Sequence, residues 1–291
     1  MERALREHII GWVVERAEAN GGFVFREELL SYRHRGEKLP VIDYSRGIRN
    51  PQALSATLSI VSSTSGPYDD VESDDGLLHY AYRSGDPWSG DNRKLRVAYE
   101  TGMPLLLFRK EVPNVYTPVA PVYVVDDRPD ERAFVIALDE SFRFFAVDTL
   151  SAEQRRYAQR LARQRLHQPA FRTRVLLAYE TRCTVCRLHH GSLLDAAHIL
   201  PDGHPDGAPT VDNGLSMCKI HHAAYDQDML GVTPDYRVQI AWRLLEEKDG
   251  PMLRHGLQEM HGQKIHLPTR PKDRPHRDHL AHRYESFLQG V

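Results

Sequence analysis

Three cysteines are all that this 291-residue chain contains, and they stand at Cys183, Cys186 and Cys218. The first two form a C-x-x-C pair, and about thirty residues on Cys218 and His221 form a C-x-x-H pair. Pair, loop and pair in this order close a tetrahedral site, for which thiolates and a neutral imidazole suit zinc. Four protein ligands leave no open position, so such an ion holds structure and does no chemistry. The closure dictates the local fold, because everything between Cys183 and His221 must leave and return to one point. Six of the sixteen histidines lie between Cys183 and Asp226.

Inside the loop, Leu193 to Pro201 reads as a short strand carrying His198 near its end, followed by a Gly/Pro/Asp-rich segment. Asn213-Gly214 then turns into Leu215 to Cys218, and His221 to Asp226 reads as the first turns of a helix. His222 and Asp226 are four apart, so on that helix they share a face and could grip one cation. His189, His190 and His204 lie in turns and loops and are expected to face solvent.

His198, Asn213 and His222 are the three letters of the HNH pattern. The stretch resembles the HNH endonucleases of the ββα-metal fold, in the branch where a C-x-x-C precedes the first histidine and a cysteine-containing pair ends beside the last. The resemblance implies His198 as the general base, Asn213 as the residue holding the loop that orients it, and His222 as a ligand of a catalytic Mg²⁺ or Mn²⁺. It also gives His221 to zinc and the adjacent His222 to the catalytic ion. Hydrolysis of a phosphodiester needs a base that is neutral near pH 7 and a cation against the scissile phosphate. Where the family often has a second metal ligand just before the base, this chain has Ala197. Asp195, on the same face of an alternating strand, and Asp226 are the candidates to supply that oxygen.

Length and a 41% hydrophobic content allow two domains with separate cores. No apolar run approaches the ~20 residues that span a bilayer, and the N-terminus lacks a signal peptide's apolar stretch. A cytoplasmic protein with no membrane partner is expected. The net charge is −2, but from residue 151 onward twenty Lys+Arg face sixteen Asp+Glu, against eighteen and twenty-four before it. The halves therefore carry +4 and −6, and the acidic half can meet nucleic acid only through a local patch.

Residues 2 to 19 read as an amphipathic helix, with Leu5, Ile9, Trp12, Val13 and Arg16 at helical spacing and Asn20-Gly21-Gly22 as its stop. A basic loop, SYRHRGEKLP, follows a short strand and helix. From Leu54, short strands separated by Gly/Pro/Asp turns predict a curled sheet or barrel. Within it, residues 66 to 108 resemble the SRA-like modules of the PUA superfamily, which hold a modified cytosine flipped out of duplex DNA. The residues concerned are Tyr68-Asp69-Asp70-Val71, Gly76, Tyr80, Tyr82, Ser84-Gly85, Asn92-Arg93-Lys94 and Pro104 to Phe108. A flipped base needs aromatic faces and an acceptor for its amino group, which Tyr68, Asp70 and either Tyr80 or Tyr82 would supply. The alternative for the tyrosines is half-buried strand aromatics. Ser151 and Gln154 form a capping box opening a basic helix that is expected to end near Gln168-Pro169, and FRTRVLLAYETR forms the helix leading to Cys183.

The expected fold is α+β, with an SRA-like module over residues 1–140, linker helices over 141–180 and an HNH domain with a C-terminal extension over 181–291. The expected function is modification-dependent DNA cleavage, with 5-methyl- or 5-hydroxymethylcytosine read in double-stranded DNA. One HNH site cuts one strand, so a homodimer is the expected assembly for double-strand cleavage. An HNH nuclease indifferent to modification, and a zinc-dependent DNA-binding protein with a decayed nuclease site, are the alternatives.

Overall fold

The structure is a computed structural model that describes residues 2–62, the backbone of 63 and of 71–72, and 76–290. Tyr68 and Asp70, two of the expected base-binding residues, lie outside the described residues. The chain divides into two compact units, Met1–Glu18 with Gly22–Ala170, and Ala19–Gly21 with Phe171–Val291. No helix among the described residues is long and apolar enough to cross a membrane.

The first unit opens with helix α1 (Glu2–Asn20), stopped by Gly21 and Gly22, both at positive φ. Strand β1 (Val24–Phe25), helix α2 (Arg26–Ser31) and the hairpin of β2 (Arg33–His34) and β3 (Glu37–Lys38) follow. The basic loop expected from sequence thus folds back on itself. The rest of the unit is β4 (Ile48–Arg49), β5 (Ser59–Ser63), β6 (Val71–Glu72), β7 (Leu78–Ala81), α3 (Gly90–Thr101), β8 (Leu105–Val112), β9 (Val115–Arg128), β10 (Ala133–Ala137) and α4 (Ala152–Ala162). Among the described residues the strands form a curled half-barrel in the order β4-β5-β8-β9-β10-β7-β6, with β1 added to β9. Every pairing is antiparallel except β5 with β8, where α3 lies in the long connection that a parallel pair requires. Gly102 closes α3 in the left-handed conformation, its N–H bonded to the Ala98 carbonyl.

Strand β8 shows why the sheet reads as continuous apolar sequence. Leu105 and Leu107 join a core with Leu95 and Ala98 of α3, while Leu106 and Phe108 join another with Ile9, Val13 and Ala17 of α1. Both faces are covered, so both must be apolar. The buried stripe of α1 runs through Arg6, Ile9, Val13 and Ala17; Leu5 and Trp12 are half-buried beside it and Arg16 is exposed. Arg6 is fully buried, donating to the carbonyls of Ala56, Thr57 and Pro104 and pairing with Glu2.

The capping box at Ser151 and Gln154 is present in both directions. The helix it opens does not end at Pro169. It runs through a π-helical turn, Arg163–His167, into α5 (Gln168–Ala178). Pro169 sits in the first turn of α5, next to the widened turn, where a missing N–H and a fixed φ are tolerated. The residues expected as linker helices carry core side chains: Ala158, Ala162 and Leu166 pack in the first unit, Phe171, Val175, Leu176 and Tyr179 in the second.

The second unit holds β11 (Leu194–His198) and β12 (Gly214–Cys218), paired antiparallel, then α6 (Lys219–Asp226). A hairpin of β13 (Leu230–Val232) and β14 (Val238–Ile240), helices α7 (Trp242–Glu246) and α8 (Pro251–Gly256), and a last helix α9 (Arg277–Gly290) complete it. Helix α5 packs so closely under β12 that a Cβ at Gly214 would lie 2.5 Å from Val175 Cγ2 and 3.0 Å from Phe171 Cζ.

Candidate active site and metal centre

The four metal-ligating residues expected from sequence come together. One sulfur each from Cys183, Cys186 and Cys218 and a nitrogen of His221 lie within 4.8 Å of one another. Donors at about 2.0–2.3 Å from a common ion keep that spacing. Two elements bring them there. The knuckle is a tight turn in which Arg187 N–H bonds to the Cys183 carbonyl and Arg187 takes a left-handed φ of 61°. Cys218 ends β12 and His221 sits in the first turn of α6, so a three-residue step puts both on one side. His221 Nδ1 faces Cys218 Sγ at 3.1 Å and Cys183 Sγ at 3.5 Å, while Nε2 donates to the Gly256 carbonyl at 2.7 Å. That bond fixes the tautomer that leaves Nδ1 free to ligate, the usual support of a metal-bound histidine. The donor set and its support fit zinc.

Asn213 is the hub of the neighbouring site. It is fully buried, and its side chain holds both ends of the loop from 199 to 213. Its Nδ2 donates to the Leu200 and Ala208 carbonyls at 3.0 and 3.1 Å, and its Oδ1 accepts from Leu200 N–H at 3.0 Å. The backbone adds Ile199 N–H to the Asn213 carbonyl at 2.9 Å. These bonds flank His198, the last residue of β11. A fourth partner escaped the sequence reading: His279 of α9 lies with Nδ1 3.1 Å from Asn213 Oδ1, and because that oxygen only accepts, the imidazole donates. Nothing in the local sequence points to a residue sixty-six positions away.

His198 is half-buried and stacks on Phe171 with ring centroids 4.1 Å apart. Burial lowers its pKa below the ordinary imidazole value, against the opposing charge of Asp202, and the nearby charge of His222 lowers it further. A neutral ring at pH 7 is the form a general base needs.

His222 stands on α6 between two carboxylates. Its Nδ1 is 3.7 Å from Asp195 Oδ2 and its Nε2 is 3.4 Å from Asp226 Oδ2. Asp195 is the main cause that raises the His222 pKa, opposed by burial and aided by Asp226. Asp226, four residues on, is exposed. Asp195 is held between Arg172 Nε at 3.1 Å and the Lys219 ammonium. Partial burial would push its carboxyl up, but His222, Lys219 and Arg172 outweigh that and hold it well below the usual carboxylate range. Ala197 is buried in the core below.

Tyr80, on β7, and Tyr82, just past its end, are core residues. Tyr80 and Tyr82 are 6% and 3% exposed. Tyr80 Oη reaches the Gly47 and Val61 carbonyls, each at 3.3 Å, and Tyr82 packs on Phe134 with its hydroxyl bonded to Asp127 and Arg96. Neither offers an open ring face.

Residues 183–233 match the family model of the HNH endonucleases. No curated protein matches the chain's sequence. Among solved structures, a modification-dependent restriction endonuclease, TagI, is similar over 84% of this chain and 86% of its own, at 18% identity and a TM-score of 0.30. A type IV phosphorothioation-dependent restriction endonuclease, ScoMcrA, is similar over 62% of this chain and 48% of its own, at 16% identity and a TM-score of 0.25. Overall similarity at that level says nothing of function.

Proposed function

We propose that the chain is a divalent-metal-dependent DNA endonuclease whose hydrolytic site is built on β11, β12 and α6. The observation that carries this reading is the Asn213 hub, which pins both ends of the loop beside His198 within the stretch that matches the HNH family. His198 takes the proton of the attacking water, whose oxygen bonds to phosphorus as the P–O3′ bond breaks; the 3′-oxygen leaves and is protonated from solvent. Products then end in 3′-hydroxyl and 5′-phosphate groups. His222 would hold the Mg²⁺ or Mn²⁺, with Asp226 and Asp195 as the candidate oxygen donors. Bound there, the ion supplies the positive charge that offsets the leaving oxygen's. Zinc held by Cys183, Cys186, Cys218 and His221 would keep β12, α6 and the knuckle in register and would leave no open position for substrate.

The finer reading is that the first unit selects double-stranded DNA carrying modified cytosine, and it is supported by the sequence likeness of residues 66 to 108. With the Tyr80 and Tyr82 rings occupied in the core, Tyr68 is left as the stacking residue in this reading and Asp70 as the acceptor. Two protomers, or two successive nicks, would complete a double-strand cut.

A second reading, a zinc-stabilised DNA-binding protein without nuclease activity, is favoured by Asp195, which already has two cationic partners. One digestion separates these readings. Identical DNA carrying cytosine, 5-methylcytosine or 5-hydroxymethylcytosine is incubated with Mg²⁺ or Mn²⁺ and either wild type or His198→Ala. Cleavage of modified DNA alone, abolished in the variant, supports the whole reading. Equal cleavage of all three removes the modified-base pocket, and no cleavage of any by wild type points to the DNA-binding protein or to a base modification other than these two.

A further inference from the structure

In the first unit, Phe25, Arg26, Arg33, Lys38, Tyr44 and Asn114 are among the residues around an open cavity of about 630 Å³. That volume is in the range of small-molecule sites. Three cations line it against one carboxylate, Glu27. Although the N-terminal half of the chain is acidic, this wall is basic.

Two of the cations are placed against their own electrostatics. In the β2–β3 hairpin, Arg33 is the direct cross-strand partner of Lys38. Like charges in that position repel and weaken a hairpin. The turn leaves them no other register, since Arg35 and Gly36 both take positive φ, 50° and 85°, as a two-residue hairpin turn demands. Among the described residues neither side chain pairs with a carboxylate: Arg33 donates to the Gly36 carbonyl, and Lys38 lies 5.7 Å from the centre of the Tyr44 ring. Arg26 is spent on the Tyr44 carbonyl, which holds the Tyr44 loop to α2. Tyr44 and Phe25 are 56% and 42% exposed, two large rings left open to solvent on the same wall. An anion would relieve the repulsion, and a flat ring would cover the aromatics.

We propose that this cavity binds one unpaired nucleotide of a DNA strand, its phosphate on Arg33 and Lys38 and its base against Tyr44, with Phe25 as a second wall. Cationic side chains on a backbone phosphate beside an aromatic platform are the usual means of holding single-stranded nucleic acid. DNA as the partner rests on the function proposed above; the nucleotide-sized anionic and aromatic ligand rests on the cavity itself.

The test is fluorescence anisotropy of the full chain, with no added Mg²⁺ or Mn²⁺, on a labelled single-stranded oligothymidine. Arg33→Gln/Lys38→Gln is expected to flatten the slope of log affinity against log salt by about 0.7, the value for one lost phosphate contact on a single strand. Tyr44→Ala is expected to weaken binding about 10-fold or more with the slope unchanged. These side chains are exposed, so no variant should melt below the wild type, and Arg33→Gln/Lys38→Gln, which removes the cross-strand repulsion, should melt at or slightly above it. Binding by both variants within twofold of wild type, at an unchanged slope, overturns the site. Failure of wild type to bind oligothymidine also overturns it. Duplex cleavage, assayed in parallel, reports on the nuclease alone, so the site can fail while the nuclease stands.

Discussion

At the scale of single residues, Asn213 does most with least. Its amide serves the Leu200 N–H and two carbonyls and accepts from His279, all inside the protein. Asn213→Ala leaves these groups without partners, at a cost of roughly 2–4 kcal/mol, and should lower both the melting temperature and the cleavage rate. Asn213→Asp should cut cleavage nearly as far, because a carboxylate cannot donate to the Leu200 and Ala208 carbonyls. His198 makes a separate prediction through pH. Its folded-state pKa lies below 6.5, and the neutral ring is the active form, so kcat/KM should fall with acidity only once pH passes below that value. An acidic limb centred at or above 6.5 would contradict the burial described for this ring. For the catalytic ion, calorimetric titration with Mn²⁺ should separate the two carboxylates. Loss of binding in Asp226→Asn but not in Asp195→Asn identifies Asp226 as the ligand and leaves Asp195 as a residue that steadies α6 through Lys219.

At the scale of elements, the knuckle, β12 and α6 converge on one cluster, so removing its ion should loosen all three together. One zinc per chain is expected by atomic absorption, and Cys218→Ser should abolish it. Gly214→Ala should cost about 1–3 kcal/mol by overpacking, since the new methyl would meet Val175 and Phe171. This scale also shows what could be read beforehand. The Cys/His spacing announced its cluster because four ligands to one ion constrain sequence directly. The first helix was legible from its period, but its stripe runs through Arg6, and no periodicity marks a charged residue as core when its partners are the carbonyls of residues 56, 57 and 104. Both helices around Pro169 were expected, but that they join was hidden because a π turn has no composition of its own. Tyr80 and Tyr82 posed the opposite difficulty: strand tyrosines look alike whether they face a ligand or a core, and only the packing of Phe134 and the hydroxyl partners place these two in the core.

At the scale of the whole molecule, two units with separate cores predict two unfolding events. Calorimetry of the full chain should resolve two transitions, and a zinc chelator should shift only one. A single transition shifted as a whole would mean that the units unfold as one. Within the first unit, acidic in sum, Arg33 and Lys38 make one locally basic wall.

The residues that match the HNH family end at position 233, yet His221 leans on Gly256 and Asn213 on His279. A nuclease trimmed to the matching stretch for grafting onto another DNA reader would lack both supports. Its ligands and its base would be present in full, on a module with one side missing. Any portable version of the proposed nuclease has to carry the chain through α9.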